Sequence, residues 1–173
     1  MALALRPLAL RPLALRHRIT DHSLMSKVTL TTELPIAAET ACRLARTPEM
    51  FAYVVRPVLS VPGLLVPDRV EPGMETSARL WWFGVLPTWR HHLRLIHLAP
   101  TEIYTNEWGG PIRTWNHRLT FTPLTESSCR YTDEVEIEDG ITAFGTRLFV
   151  RLVFAHRQRR WRDLSRLLAL SAA

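Results

Sequence analysis

Residues 131–140 read YTDEVEIEDG and residues 141–168 continue ITAFGTRLFVRLVFAHRQRRWRDLSRLL; the change of period between them decides the fold. In the first stretch Tyr131, Asp133, Val135 and Ile137 alternate with Thr132, Glu134, Glu136 and Glu138. Two-residue alternation is the mark of a strand with one face in water. It leaves Asp133 as an acid in an apolar row. After Asp139-Gly140 no proline occurs through Leu168, and Ile141, Phe144, Leu148, Leu152, Trp161, Leu164 and Leu168 recur at helical spacing. This predicts a long amphipathic helix with a basic outer face.

Working back from there, five more stretches have strand character: Lys27 to Leu34, Glu75 to Phe83, Thr88 to Leu98, Glu102 to Trp108 and Arg113 to Thr122. Turns rich in Gly or Pro separate most of them. Between the first two lie an alanine-rich helical pattern from Ala37 to Arg46 and a second short helix to about Val55, opened by Thr47-Pro48-Glu49, a good N-terminal cap. From Arg56 to Gly73 prolines stand at 57, 62, 67 and 72, leaving room only for short extended pieces such as Leu64 to Val70. This greasy loop has two readings, a cover for the core and a gate onto a cavity. The order is one strand, two short helices, a run of antiparallel strands and a long helix. It predicts an α+β fold in which a curved antiparallel sheet wraps a long C-terminal helix.

The chain has 173 residues, 47% hydrophobic and 22% charged, enough for one core. Residues 26–170 are expected to form a single domain. Residues 1–25 are low in complexity: Leu-Ala-Leu-Arg-Pro occurs at Leu3 to Pro7 and again at Leu8 to Pro12. Five is neither a helix nor a strand period, and the prolines break any helix. The segment is expected to be disordered or to precede a true start at Met25. Arginine at every fifth position interrupts what would be a signal-peptide apolar run, and no stretch approaches the roughly 20 apolar residues of a membrane span. A cytoplasmic location, as monomer or homodimer, is the expectation. Cys42 and Cys129 are too few and too far apart for a disulfide framework or a zinc site.

Of the net charge of +6, the first 24 residues hold +3, the final helix, with seven arginines against Asp163, holds +6, and residues 26–146 hold −3. No aromatic or Gly-rich reading element accompanies the arginines, so the charge does not read as a nucleic-acid surface. Its two readings are solvated arginines over apolar surface and a docking face for an acidic acyl carrier protein or an anionic membrane.

With this order, and with WNHRLTF at 115–121 before YTDEVEIEDG at 131–140, the chain resembles the START-like SRPBCC superfamily, which includes polyketide cyclases and dehydrases. Gly110-Pro111, Trp115, His117, Thr132-Asp133 and the cluster from Arg157 to Arg162 match features of its bacterial branch. The resemblance implies a helix-grip fold and an apolar ligand of polyketide, lipid or quinone type.

Candidate chemistry gathers on the sheet's inner face. Trp115, His117, Leu119 and Phe121 form one row. If Leu119 lies opposite Tyr131, His117 lies opposite Asp133, and the pair reads either as a general base with its orienting acid or as a satisfied buried contact. Glu107 is a secondary candidate that faces either the cavity or water, since alternation does not fix its face without the register; buried in an apolar pocket its pKa would rise and it would donate a proton. His91 is read as a cavity donor. His91 and His92, adjacent on a strand, point to opposite faces and do not form a metal site. Trp82, Trp89, Trp108, Trp115, Tyr131, Phe144 and Leu148 are the expected ligand-binding side chains, the strand tryptophans reading equally as core. No nucleophile elbow, phosphate loop or dinucleotide fingerprint occurs, and no cofactor or metal is called for. The leading function is binding of a hydrophobic polyketide-like or lipid-like molecule with cyclisation, aromatisation or dehydration by His117–Asp133. The alternative is a non-catalytic lipid or quinone carrier.

Overall fold

The computed structural model describes residues 25–64, 70–110, 112–138 and 143–171. The repeat at 1–24, with the expectation about the start, lies outside the described residues, as do 65–69 and with them the choice between cover and gate.

The elements are β1 (Met25–Leu34), α1 (Ala38–Ala45), α2 (Pro48–Val55), β2 (Leu59–Ser60), β3 (Glu75–Trp82), β4 (Leu86–Ala99), β5 (Glu102–Gly109), β6 (Ile112–Thr125), β7 (Ser128–Glu138) and α3 (Ala143–Ser171). α2 begins as its sequence dictates: Pro48 opens the helix and the Thr47 hydroxyl accepts the Met50 N–H at 3.2 Å. Among the described residues only β2 was not foreseen. It is a two-residue piece of the proline-rich loop that pairs with Trp81 and Trp82. The seven strands form one antiparallel sheet in the order β1-β7-β6-β5-β4-β3-β2. It curls around α3 in the helix-grip arrangement that the sequence predicts.

Strand alternation sets the inner face. Cys129, Tyr131, Asp133, Val135 and Ile137 of β7 are all buried, as are His117, Leu119 and Phe121 of β6 and Ile103 and Thr105 of β5. Two apolar clusters result. One joins Leu119, Phe121, Tyr131 and Trp161 to α1 and α2, and the other joins Val28, Val135, Ile137, Val150, Val153 and Phe154. Burying each large side chain stabilises the fold by about 2 kcal/mol. Between the clusters runs one polar step per element: Asp133 between Tyr131 and Val135, His117 between Trp115 and Leu119, and Arg157 between Phe154 and Trp161. That band carries the candidate site.

The helix face differs from expectation. Val150, Val153, Phe154, Arg157, Gln158, Trp161 and Ser165 are buried, whereas Phe144 is 76% and Leu148 48% exposed, with Leu152 also outside. At about 100° per residue, Phe144, Leu148 and Leu152 lie on nearly the opposite side of the helix from Val150, Phe154 and Trp161. α3 has two apolar stripes, and the second one meets the sheet. Arg157 shares that inner stripe, so the basic outer face lacks one of the arginines assigned to it.

Candidate functional site

On the concave face, α3 and the sheet enclose a cavity of about 180 Å3 with walls that include Leu80, Trp89, His91, Trp115, His117, Phe149 and Phe154. A second hollow of about 190 Å3, reaching toward Val61, Leu64 and Met74, shares Phe51, His91, Leu93 and Thr105 with the first. The two are adjoining lobes, and His91 stands on their common wall. At roughly 30 Å3 per liquid water each holds a handful of waters, and together they approach the lower end of small-molecule sites.

Four ionisable side chains cross the wall diagonally, one from each of four neighbouring strands. His91 Nε2 of β4 lies 2.8 Å from Glu107 Oε2 of β5. Glu107 Oε1 accepts the Thr105 hydroxyl at 2.7 Å and lies 3.4 Å from His117 Nδ1 of β6. His117 Nε2 lies 2.8 Å from Asp133 Oδ1 of β7. Arg157 Nη2 of α3 completes the line, 3.9 Å from the same Asp133 oxygen. None of these strand contacts joins directly opposed residues. His117 faces Val135, Asp133 faces Leu119, and Glu107 faces Leu93 and Trp115. The register inferred for His117 and Asp133 is therefore two residues off, because β6 extends to Thr125 and is bulged at Pro123/Thr125. Their hydrogen bond forms all the same, along the diagonal.

The charges along this line hold one another. Burial pushes the Asp133 carboxyl up, but the Arg157 guanidinium and the hydrogen bond from His117 outweigh it and hold the pKa below the ordinary value. Burial alone pulls His117 down, yet its bonds to Asp133 and Glu107 raise it overall. Glu107 reverses its expectation: burial raises it, but the His117 and His91 bonds prevail and its pKa is lowered. Its surroundings are two imidazoles rather than apolar groups, so it is an anion and not a proton donor.

This has a consequence for His117. Both its ring nitrogens face carboxylates, so the ring is an imidazolium with no lone pair for a ligand. His91 differs. Its Nε2–H donates to Glu107, while its Nδ1 is buried without a hydrogen-bond partner. Trp89 Nε1, Trp115 Nε1 and Arg157 Nε are also buried and unpartnered in residues that line the first lobe. Indole and guanidinium nitrogens only donate, so each is a buried donor without an acceptor beside the lobe.

The other expected ligand contacts divide. Trp89, His91 and Trp115 are in the wall, with the Trp115 ring 6.3 Å from His91 and 6.0 Å from Phe154. Trp108 borders the lobe, but its ring stacks on His92 at 5.3 Å, and adjacent His91 and His92 take opposite faces as expected. Trp82 lies outside both linings, edge-on to Phe149 at 5.4 Å. Tyr131 is core, stacked on Phe121 at 4.9 Å and against Trp161. Phe144 and Leu148 are exposed on the far side of α3. Residues 109 and 110 both have positive φ, and a Cβ on Gly110 would overlap the Trp89 ring, so glycine there sets the position of that indole. Sequence reading missed Thr105, Phe149, Phe154 and Arg157. For Arg157 a signal existed, since it stands three residues after Phe154 and four before Trp161 on one helical stripe.

A family model described as "Domain of unknown function (DUF8410)" matches residues 55–164. The chain belongs to that family. The match spans β2 through β7 and α3 as far as Leu164, leaves out β1 and α1, and includes all five residues of the polar line. No curated protein matches the sequence. Among solved structures, the chain is similar to a START superfamily protein from Mycobacterium smegmatis, with a TM-score of 0.65 and 16% identity over 82% of this chain and 98% of that one. It is also similar to the di-domain ARO/CYC StfQ of the steffimycin biosynthetic pathway, with a TM-score of 0.66 and 12% identity over 85% of this chain and 53% of that one. A point mutant of Thalictrum flavum norcoclaurine synthase gives a TM-score of 0.60 and 9% identity, over 82% and 94%. The fold is START-like, of the SRPBCC type. Among the described residues no helix is long and apolar enough to cross a membrane, and no group of three or more His, Cys, Asp or Glu is placed to hold a metal ion.

Proposed function

We propose that residues 26–170 form one domain that binds a hydrophobic, oxygen-bearing molecule of polyketide or lipid type between sheet and helix, and that His91 transfers a proton to and from it. The observation that carries this reading is the unpartnered Nδ1 of His91, buried on the wall shared by both lobes while Glu107 holds Nε2. In that arrangement Glu107 fixes the tautomer, Nδ1 accepts a proton from an acidified C–H or O–H of the guest, and the same nitrogen returns it. Dehydration follows if the proton returns to a leaving hydroxyl, which departs as water; cyclisation follows if the carbanion attacks a carbonyl held nearby. His117, Asp133 and Arg157 do not touch the guest's reacting atoms in this scheme. They keep Glu107 ionised and in place. Confinement of a flexible guest contributes as well, because orientation lowers a barrier by several kcal/mol. Two structural neighbours, a norcoclaurine synthase and an ARO/CYC protein, support an enzymatic use of this fold.

One observation favours the second reading, a non-catalytic carrier. The charges from Glu107 to Arg157 pair with one another, as those of a purely structural band would. Native mass spectrometry of the protein purified from its host, followed by incubation of the released compound with fresh protein, separates the two. Conversion of the compound supports catalysis. Recovery unchanged, with binding retained, establishes the carrier.

A further inference from the structure

The tip of the β3–β4 hairpin breaks a local rule. Trp82 pairs with Leu86, the Val85 N–H donates to the Trp82 carbonyl at 3.0 Å, and the two central residues, Phe83 and Gly84, have φ of 51° and 76°. Positive φ at both centres is what a type I′ turn demands, and Asn-Gly satisfies it at least cost. Here the first centre is phenylalanine. Among the described residues Phe83 is the only non-glycine residue with positive φ. A bulky side chain in that region is strained, and this one gains no burial in return. It is 64% exposed, and its neighbours Val85 and Leu86 are exposed too.

Trp82, at the base of this tip, touches α3. Trp82 lies 6.2 Å from the Phe83 ring and 5.4 Å, edge-on, from Phe149, which also lines the first lobe. Leu148 and Leu152 adjoin Phe149 on the exposed side of the helix, one turn from exposed Phe144. The apolar hairpin tip and the outer stripe of α3 thus flank one edge of the cavity wall. Beyond Leu152 the same side of the helix continues as exposed Arg159, Arg162 and Arg166, with Arg151 beside it. An aromatic tip next to an apolar stripe and a run of cations fits the headgroup–acyl boundary of an anionic bilayer, where the apolar groups enter and the arginines meet phosphate.

We infer that this edge docks on an anionic phospholipid surface, with Phe83 inserted and the arginines of α3 on the headgroups. A second copy of the chain fits less well. A two-fold contact through this face would set the arginine runs of both copies together. An acidic carrier protein would satisfy the arginines but leave the strained Phe83 in water.

The test uses the full chain and sedimented vesicles of phosphatidylcholine, with and without phosphatidylglycerol. The wild-type protein is expected to partition onto the anionic vesicles, and to fall off steeply as salt is raised. Phe83→Asn relieves the turn and removes the anchor, so its thermal midpoint should rise or hold while vesicle partitioning drops roughly tenfold. Arg159→Gln with Arg162→Gln should weaken it by about as much. Equal partitioning of wild type and Phe83→Asn overturns the inference. So does failure to bind anionic vesicles, whether the protein then proves to self-associate or to bind only an acidic acyl carrier protein.

Discussion

His117 and Asp133 are hydrogen-bonded at 2.8 Å although neither is the other's cross-strand partner; His117 is set opposite Val135, and Asp133 opposite Leu119. The diagonal contact repeats twice more toward β4, from Glu107 to His117 and from His91 to Glu107. Three diagonals of one sense give a line of charge across four strands, which Arg157 closes from the helix. Direct opposition would have left each acid facing a residue that cannot pair with it.

Arg157 is the countercharge of an otherwise enclosed acid. Its replacement by methionine should cost about 3 kcal/mol in chemical denaturation, since breaking a buried pair strands its partner. The double variant Asp133→Leu/Arg157→Met should lose less than the sum of its two single variants, because an apolar pair leaves no orphaned charge. Additive losses would mean that the two groups are not coupled.

The pH profile of stability should have two limbs. Glu107 and Asp133 have lowered pKa values in the fold. Their contribution is present above the ordinary carboxyl values of 4.5 and 3.8, and is lost as pH falls through the lowered ones. His117 is raised from 6.5. Its contribution is complete below that value and is lost as pH rises through the raised one. Denaturation midpoints should therefore be highest between about pH 4.5 and 6.5, and His117→Gln should flatten the alkaline limb. An alkaline limb unchanged in that variant would assign it to another group.

The two stripes of α3 predict opposite outcomes for similar residues. Phe144→Ser and Leu148→Ser should change folding stability by no more than about 0.5 kcal/mol. Phe154→Ala, which removes a ring buried against His117 and Trp115, should cost about 3–5 kcal/mol. Ligand affinity should follow the same division.

Much of this was legible in the sequence. Alternation through Tyr131, Asp133, Val135 and Ile137 placed an acid inside, and the row from Trp115 to Phe121 placed His117 inside, because a two-residue period needs no knowledge of partners. Register does need partners, and the bulge in the β6–β7 hairpin moved it by two residues. The face of Glu107 was open for a like reason: β4 and β5 are bulged between Leu95 and His97, and bulges are not written in hydrophobicity. The helix misled through redundancy. Phe144, Leu148 and Leu152 make as good a stripe as Val150, Phe154 and Trp161, and only the sheet selects between them. Arg157 was hidden among six other arginines, and its place inside depends on Asp133 across the core.

Proton transfer by His91 Nδ1, with Glu107 as its support, is tested most directly by single-turnover kinetics on the compound that co-purifies. Compared with the wild-type protein, His91→Ala should bind the compound within a few-fold but convert it roughly 100- to 10,000-fold more slowly, and Glu107→Gln should show a smaller loss of the same kind. Conversion by His91→Ala at the wild-type rate would contradict the account.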